Sequence, residues 1–339
     1  MTIRDTYNGG LSIEQMMVER ERWIDMLRGF CMLAILLDHT EIYYTGGNLI
    51  PYDWYVSNVL IVFFFLSGYL MYKQQGFSLK HKLTSIGRSL LLPYFLFTAV
   101  LALPKAFVHG WSIDWESVLL PILTGRASWF IAALIVSEAV FSLFLWITRG
   151  KVIPLFILSS CAFVGSVLLT KQSTDYPWCI NNALQAVLFL YIGWFYQCRK
   201  DVFNHINTPL YTSFLFIFLI VIKVYATCKG VHTMIYPMGI DSYFIFFLDM
   251  LTSIFLLVNV CKQLPRCKPL EWVGAHSIVY YFVCGGVPLC LSLALEKVYL
   301  GYHGAYYSVL IAYALVCIVA SCIVAIVYRY LPFMLGKCH

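Results

Sequence analysis

Residues 24–44 read IDMLRGFCMLAILLDHTEIYY, and a helix of this length rises about 31 Å, enough to cross a hydrocarbon core about 30 Å thick. Its apolar run is interrupted on one face by Arg28 and His39. Eleven positions at 3.6 residues per turn make about three turns with roughly 20° left over, so both side chains lie on one stripe, about 16 Å apart. Ionisable side chains inside a span are costly and mark sites or pathways. An obligate cation near one end of the helix suits an anionic ligand. A titratable imidazole deep in the same helix suits proton chemistry.

Outward from this segment the chain keeps the same character. Of its 339 residues 61% are hydrophobic and 12% charged, half the charge of an ordinary globular domain, so lipid is the expected solvent. Ten segments have membrane length: 24–44, 54–72, 89–108, 128–147, 153–170, 181–198, 209–226, 240–261, 274–295 and 305–329. The expected fold is an all-α integral membrane protein, a bundle of about ten transmembrane helices with both termini cytoplasmic. Residues 1–23 form a cytoplasmic tail without the apolar core of a secretory signal, 24–330 the membrane domain, and 331–339 a second cytoplasmic tail. With that orientation, seventeen of the twenty-three Lys and Arg fall on the cytoplasmic side, as the positive-inside rule requires. The net charge of +6 is thereby explained without nucleic acid.

The longest outer connection, 109–127, holds a short apolar run, Val118–Leu123, flanked by Trp111 and Trp115, which suits an interfacial or re-entrant element. Most of the twelve cysteines lie within spans, where Cys acts as a small hydrophobe. Cys179 and Cys228 are the two placed near the outer face, where a disulfide is conceivable. Cys261 and Cys267 lack a second pair at zinc spacing, and no metal is assigned.

Three polar groupings carry the chemistry. At the cytoplasmic end, Arg28 lies at the depth of Ser67 and Tyr69, and the basic loop Lys73–Arg88 follows; Arg28, Lys80, Lys82 and Arg88 can form a cationic mouth for phosphates, which guanidinium forks bind in a bidentate way. For Lys73, Lys80 and Lys82 the orientation rule is the preferred account; for the partly buried Arg28 it is not. His39 lies in the outer half of its span, and Glu138 and Asp249 fall near the middle of theirs. A carboxylate commonly sets an imidazole's tautomer. For Asp249 an interhelical hydrogen bond is as good an account.

These residues resemble membrane acyltransferase family three, whose members O-acylate carbohydrates. The family pattern is an Asp three positions before an Arg, then ten residues and a His, matched by Asp25, Arg28 and His39. A phenylalanine-rich run ending in Ser-Gly-Tyr is matched by FFFLSGYLM with Ser67 and Tyr69, an Arg before a Pro by Arg88 and Pro93, and a Trp-Phe pair followed by Glu by Trp129, Phe130 and Glu138. The likeness extends to NNALQAVLFLYIGWF and LEWVGAHSIVYYFV. Relatives often carry a His where this chain has Cys284.

What the resemblance implies is an inner-membrane O-acyltransferase, an acetyltransferase. It would take acetyl-CoA, or another acyl-CoA, from the cytoplasm and acylate a sugar hydroxyl of an exported, cell-surface or lipid-linked glycan, with membrane lipids as the surrounding partner. His39 is the expected catalytic residue, as general base or transient acyl carrier, and the residues do not separate these two routes. Asp25, Arg28, Ser67, Tyr69, Arg88, Trp129 and Glu138 are the expected substrate-binding set. The rival from another class is a proton-coupled transporter or flippase for a glycan or lipid-linked intermediate, which also uses intramembrane charge.

Overall fold

The computed structural model describes residues 21–73, 76–108 and 115–336. Its elements are helices α1 (Arg22–Thr45), α2 (Tyr52–Met71), α3 (Leu79–Ile86), α4 (Leu92–Val108), α5 (Leu120–Leu123), α6 (Trp129–Thr148), α7 (Val152–Gln172), α8 (Ile180–Cys198), α9 (Lys200–His205) and α10 (Pro209–Lys229). After a two-stranded antiparallel ribbon of β1 (Thr233–Met234) and β2 (Gly239–Ile240) come α11 (Tyr243–Gln263), α12 (Lys268–Ala275), α13 (Ser277–Val283), α14 (Gly286–Lys297) and α15 (Tyr306–Tyr330).

Among the described residues eight helices are long and apolar enough to cross a membrane, and the pair α13 and α14, bent by 46° at a short break, makes a ninth. α1 is 24 residues long and more polar than these; it is the helix at the centre. The bundle of about ten helices expected from the sequence is thus present, with one span broken. α7, α10 and α15 ring the bundle and turn Ile157, Ile217 and Ile318 outward, as helices facing lipid do. α1 runs antiparallel to α15: the Tyr306 hydroxyl donates to Glu41 at 2.7 Å, and the Tyr313 hydroxyl donates to the Leu33 carbonyl at 3.0 Å. The start of α1 and the end of α15 therefore lie on one face, called here the Arg28 face; the opposite one is the His39 face.

Two helix crossings are built on glycine. A Cβ added to Gly29 would collide with the Leu270 carbonyl, and one on Gly274 with the Asp25 carbonyl, so α1 and α12 touch backbone to backbone. Gly68 meets the Leu190 carbonyl and Gly193 the Phe65 carbonyl, which joins α2 to α8 in the same way. Small residues permit this approach where lipid offers no hydrophobic drive to associate. All four glycines come from the segments LRGF, LSGY, YIGW and WVGA.

Two expectations change. From Leu79 to Arg88 the expected loop is helical: Ser78 caps α3 by accepting the His81 N–H at 3.4 Å, and one turn of π-helix (Gly87–Leu91) carries the chain into α4. Leu79, Leu83, Ile86 and Leu90 give that segment an apolar helical period. The span expected at 274–295 is broken near Cys284 and Gly285. Cys179 is buried, Cys228 exposed, and both are free thiols. In the outer connection Trp115–Leu119 is a π turn leading into α5; Trp111 lies outside the described residues.

Candidate active site

α1 presents its stripe to two cavities that follow one another along it. The first, of about 330 Å³, opens toward the Arg28 face and is lined by Arg28, Met32, Ser67, Lys82, Glu138 and the aromatic rings of Phe63, Phe130 and Tyr281, among others. The second, of about 220 Å³, contains His39, Tyr43, Ser128, Trp129, Tyr281 and Cys284.

In the first cavity the expected residues of three helices converge. Arg28 lies 3.9 Å from Asp25, one turn earlier on α1. The Ser67 hydroxyl donates to Glu138, and Lys82 pairs with the other oxygen of the same carboxylate at 2.7 Å. Lys82, readable from sequence as a loop charge, thus points into the cavity because its segment is helical. The lining thus carries two cations, Arg28 and Lys82, each beside a buried carboxylate, Asp25 behind the wall and Glu138 in it, and guanidinium and ammonium donors at one opening suit an anionic ligand.

Tyr69 and Arg88 do not line this cavity. Tyr69 is two positions from Ser67, and residues so spaced face away from one another on a helix. Its hydroxyl donates to Glu21 at 2.5 Å, where Lys200 and the Trp23 indole also bind. Burial pushes the Glu21 carboxyl up, but its bonds to Lys200, Tyr69 and Trp23 outweigh this and hold it below its ordinary value. Arg88 is exposed, with its carbonyl against Gly336, while its neighbours Ser89 and Leu90 reach the cavity.

The second cavity holds His39 and Trp129. The His39 ring lies over Tyr43 with centroids 6.2 Å apart, and among the described residues no carboxylate bonds it. Glu138 is engaged in the first cavity. Asp249 is engaged elsewhere: it accepts from Lys223 at 2.7 Å and from Asn58 at 3.1 Å, clamping α10, α11 and α2. Lys223 counts as an outer-side charge in the sequence, yet it is buried and also donates to the Asp53 carbonyl at 2.5 Å. Asp38 and Glu41, flanking His39, serve structure: Asp38 accepts from Asn48 at 2.5 Å, and Glu41 accepts the N–H groups of Leu49 and Ile50 at 3.1 Å each. The imidazole is left free to meet a ligand.

Trp129 is stacked on Tyr236, 4.7 Å between centroids and 4° between planes. With Tyr43, Tyr281 and Phe282 it gives the chamber aromatic walls and a few polar edges, the make-up of a pocket for a compact polar ligand with an apolar face. Cys284 lies in this chamber too, so the late position where relatives often carry His belongs with His39. Tyr281 was not singled out from sequence, where it is one aromatic in the run YYFV. A family model described as an acyltransferase domain matches residues 21–330. No curated protein and no solved structure matches the chain.

Proposed function

Because the chain belongs to that acyltransferase family, matched over residues 21–330, we propose that it moves an acyl group from a CoA thioester entering at the Arg28 face to a sugar hydroxyl presented at the His39 face. The observation that carries this reading is the end-to-end placement of a cationic chamber and an imidazole chamber along one stripe of α1. Arg28 and Lys82 hold phosphate oxygens of the donor, and the pantetheine arm runs along the stripe toward His39. Trp129 and Tyr43 hold the sugar, whose apolar ring face suits aromatic walls.

The reaction follows from that placement. His39 takes the proton of the acceptor hydroxyl as its oxygen attacks the thioester carbonyl. A C–O bond forms, the C–S bond breaks, and the departing thiolate recovers the proton from the imidazolium. A transient acyl-imidazole uses the same geometry in two steps. The excess of Lys and Arg in the connections at the Arg28 face supports a cytoplasmic position for it, where CoA is available. The acyl group in this proposal is acetyl, the acceptor an exported glycan, and the membrane the inner one.

A proton-coupled carrier would need a chain of titrating groups along its path, carboxylates or imidazoles, and His39 alone is not a chain. Here Glu138 and Asp249 are both locked to lysines, which favours the transferase. The test is transfer of labelled acetyl from acetyl-CoA by the purified protein, with glycan mass spectrometry of cells with and without the gene to find the acceptor. His39→Ala should lower transfer by about 10²–10⁴-fold, the range for a lost general base, while the protein still accumulates in the membrane. Near wild-type transfer by this variant sinks the assignment of His39.

A further inference from the structure

Among the residues lining the two chambers, Tyr281 is common to both. Its ring packs against Phe130 at 5.2 Å between centroids, and its hydroxyl accepts the Phe130 N–H at 3.3 Å. The ring is thus pinned to the first turn of α6, at the boundary of the two chambers it lines. Tyr281 rides on α13 one turn before the 46° break into α14. At that break Gly286 has open space where a Cβ would stand, and a Cβ on Gly285 would meet only the Tyr43 hydroxyl at 3.9 Å, so close packing does not hold the backbone there.

We infer that Tyr281 is the septum between the donor and acceptor chambers, and that the passage left beside its ring sets the length of acyl group able to reach His39. The inference rests on the transferase reading above and deepens it. The nucleotide and the pantetheine arm belong to the Arg28 side, the sugar to the His39 side, and the reacting carbonyl must come within bonding distance of a hydroxyl beside His39. The acyl group is therefore the part of the donor that must pass the phenol ring. Two carbons need a narrow gap; each further methylene must displace the ring or Phe282, which packs beside it at 6.0 Å. Tyr281 acts as a positioning residue, since it touches the path and not the proton.

Cys284 supplies a reporter that does not depend on chemistry, because it lines the His39 chamber just beyond the ring. The full-length protein in sealed vesicles of known orientation is treated with a charged, membrane-impermeant methanethiosulfonate from one side, and Cys284 is followed by peptide mass spectrometry. From the Arg28 face, Cys284 should stay unlabelled in wild type and in Tyr281→Phe, which keeps the ring. In Tyr281→Ala labelling should rise severalfold, because the ring that closes the passage is gone. The ratio of butyryl to acetyl transfer should rise by a similar factor in Tyr281→Ala and not in Tyr281→Phe.

Equal labelling of wild type from both faces overturns the septum. So does unchanged labelling of Tyr281→Ala from the Arg28 face while it is still labelled normally from the His39 face, a result that also shows the variant is folded. Labelling that opens with no change in the acyl ratio overturns the length assignment. If labelling opens but wild type transfers no acyl group from CoA to any glycan, the septum stands and the transferase reading falls.

Discussion

Arg28 is the residue whose role is most sharply tested by a conservative change. Its guanidinium stays charged at any pH the protein meets and cannot serve as a base, so its contribution to the proposed reaction is to hold the donor. Arg28→Lys keeps the charge and loses the fork, and CoA affinity measured in nanodiscs should fall modestly. Arg28→Ala should weaken binding by about 1.5–3 kcal/mol, the worth of a charged hydrogen bond. Unchanged CoA affinity in the Ala variant would move Arg28 out of the donor site. Depth along antiparallel spans makes the grouping of Arg28 with Ser67 legible in the sequence, but Glu138 reads there as a neighbour of His39, whereas it bonds Ser67 and Lys82. Helical register argues against Tyr69 beside Ser67, since an offset of two positions turns a side chain to the far face. Lys82 was obscured because a basic stretch after a span reads as an orientation signal. The pairing of Lys223 with Asp249 joins residues 26 positions apart on separate helices, a relation that no local pattern encodes.

Among the elements, α1 with α12 and α2 with α8 are the pairs whose backbones meet, and each brings a motif glycine against a carbonyl. Replacement of Gly193 or Gly68 by Val should therefore separate α2 from α8, with a loss of about 1–3 kcal/mol, the usual cost of forcing extra atoms into a packed site. Thermal unfolding in detergent measures it: Gly165→Ala, at a glycine with open space around it, should leave the midpoint near wild type. Equal midpoints for Gly193→Val and Gly165→Ala would show that the crossing tolerates separation. Helix existence and approximate length were readable from the apolar runs. The break in the 274–295 span was not, because an apolar segment containing Gly285, Gly286 and Pro288 is consistent with either a bent or a straight span.

For the whole molecule, sidedness is the property on which donor and acceptor access depend. The start of α1 and end of α15 share a face, and Lys and Arg collect at its connections. A reporter active only outside the cytoplasm should give signal after residues 48, 174, 230 and 300, and none after 150, 203 and 265. Inverted signals would exchange the two faces and place the cationic chamber away from cytoplasmic CoA. The broken span between α13 and α14 also bears on efficiency. Backbone groups released at such a break find no partner in lipid, and a chamber of about 220 Å³ has room for several waters at about 30 Å³ each. The imidazole of the proposed reaction then has solvent beside it as a rival nucleophile, far more abundant than any glycan. In the proposed reaction, the fraction of thioester lost to hydrolysis then measures how well the aromatic walls keep a sugar hydroxyl, and not a water, next to His39.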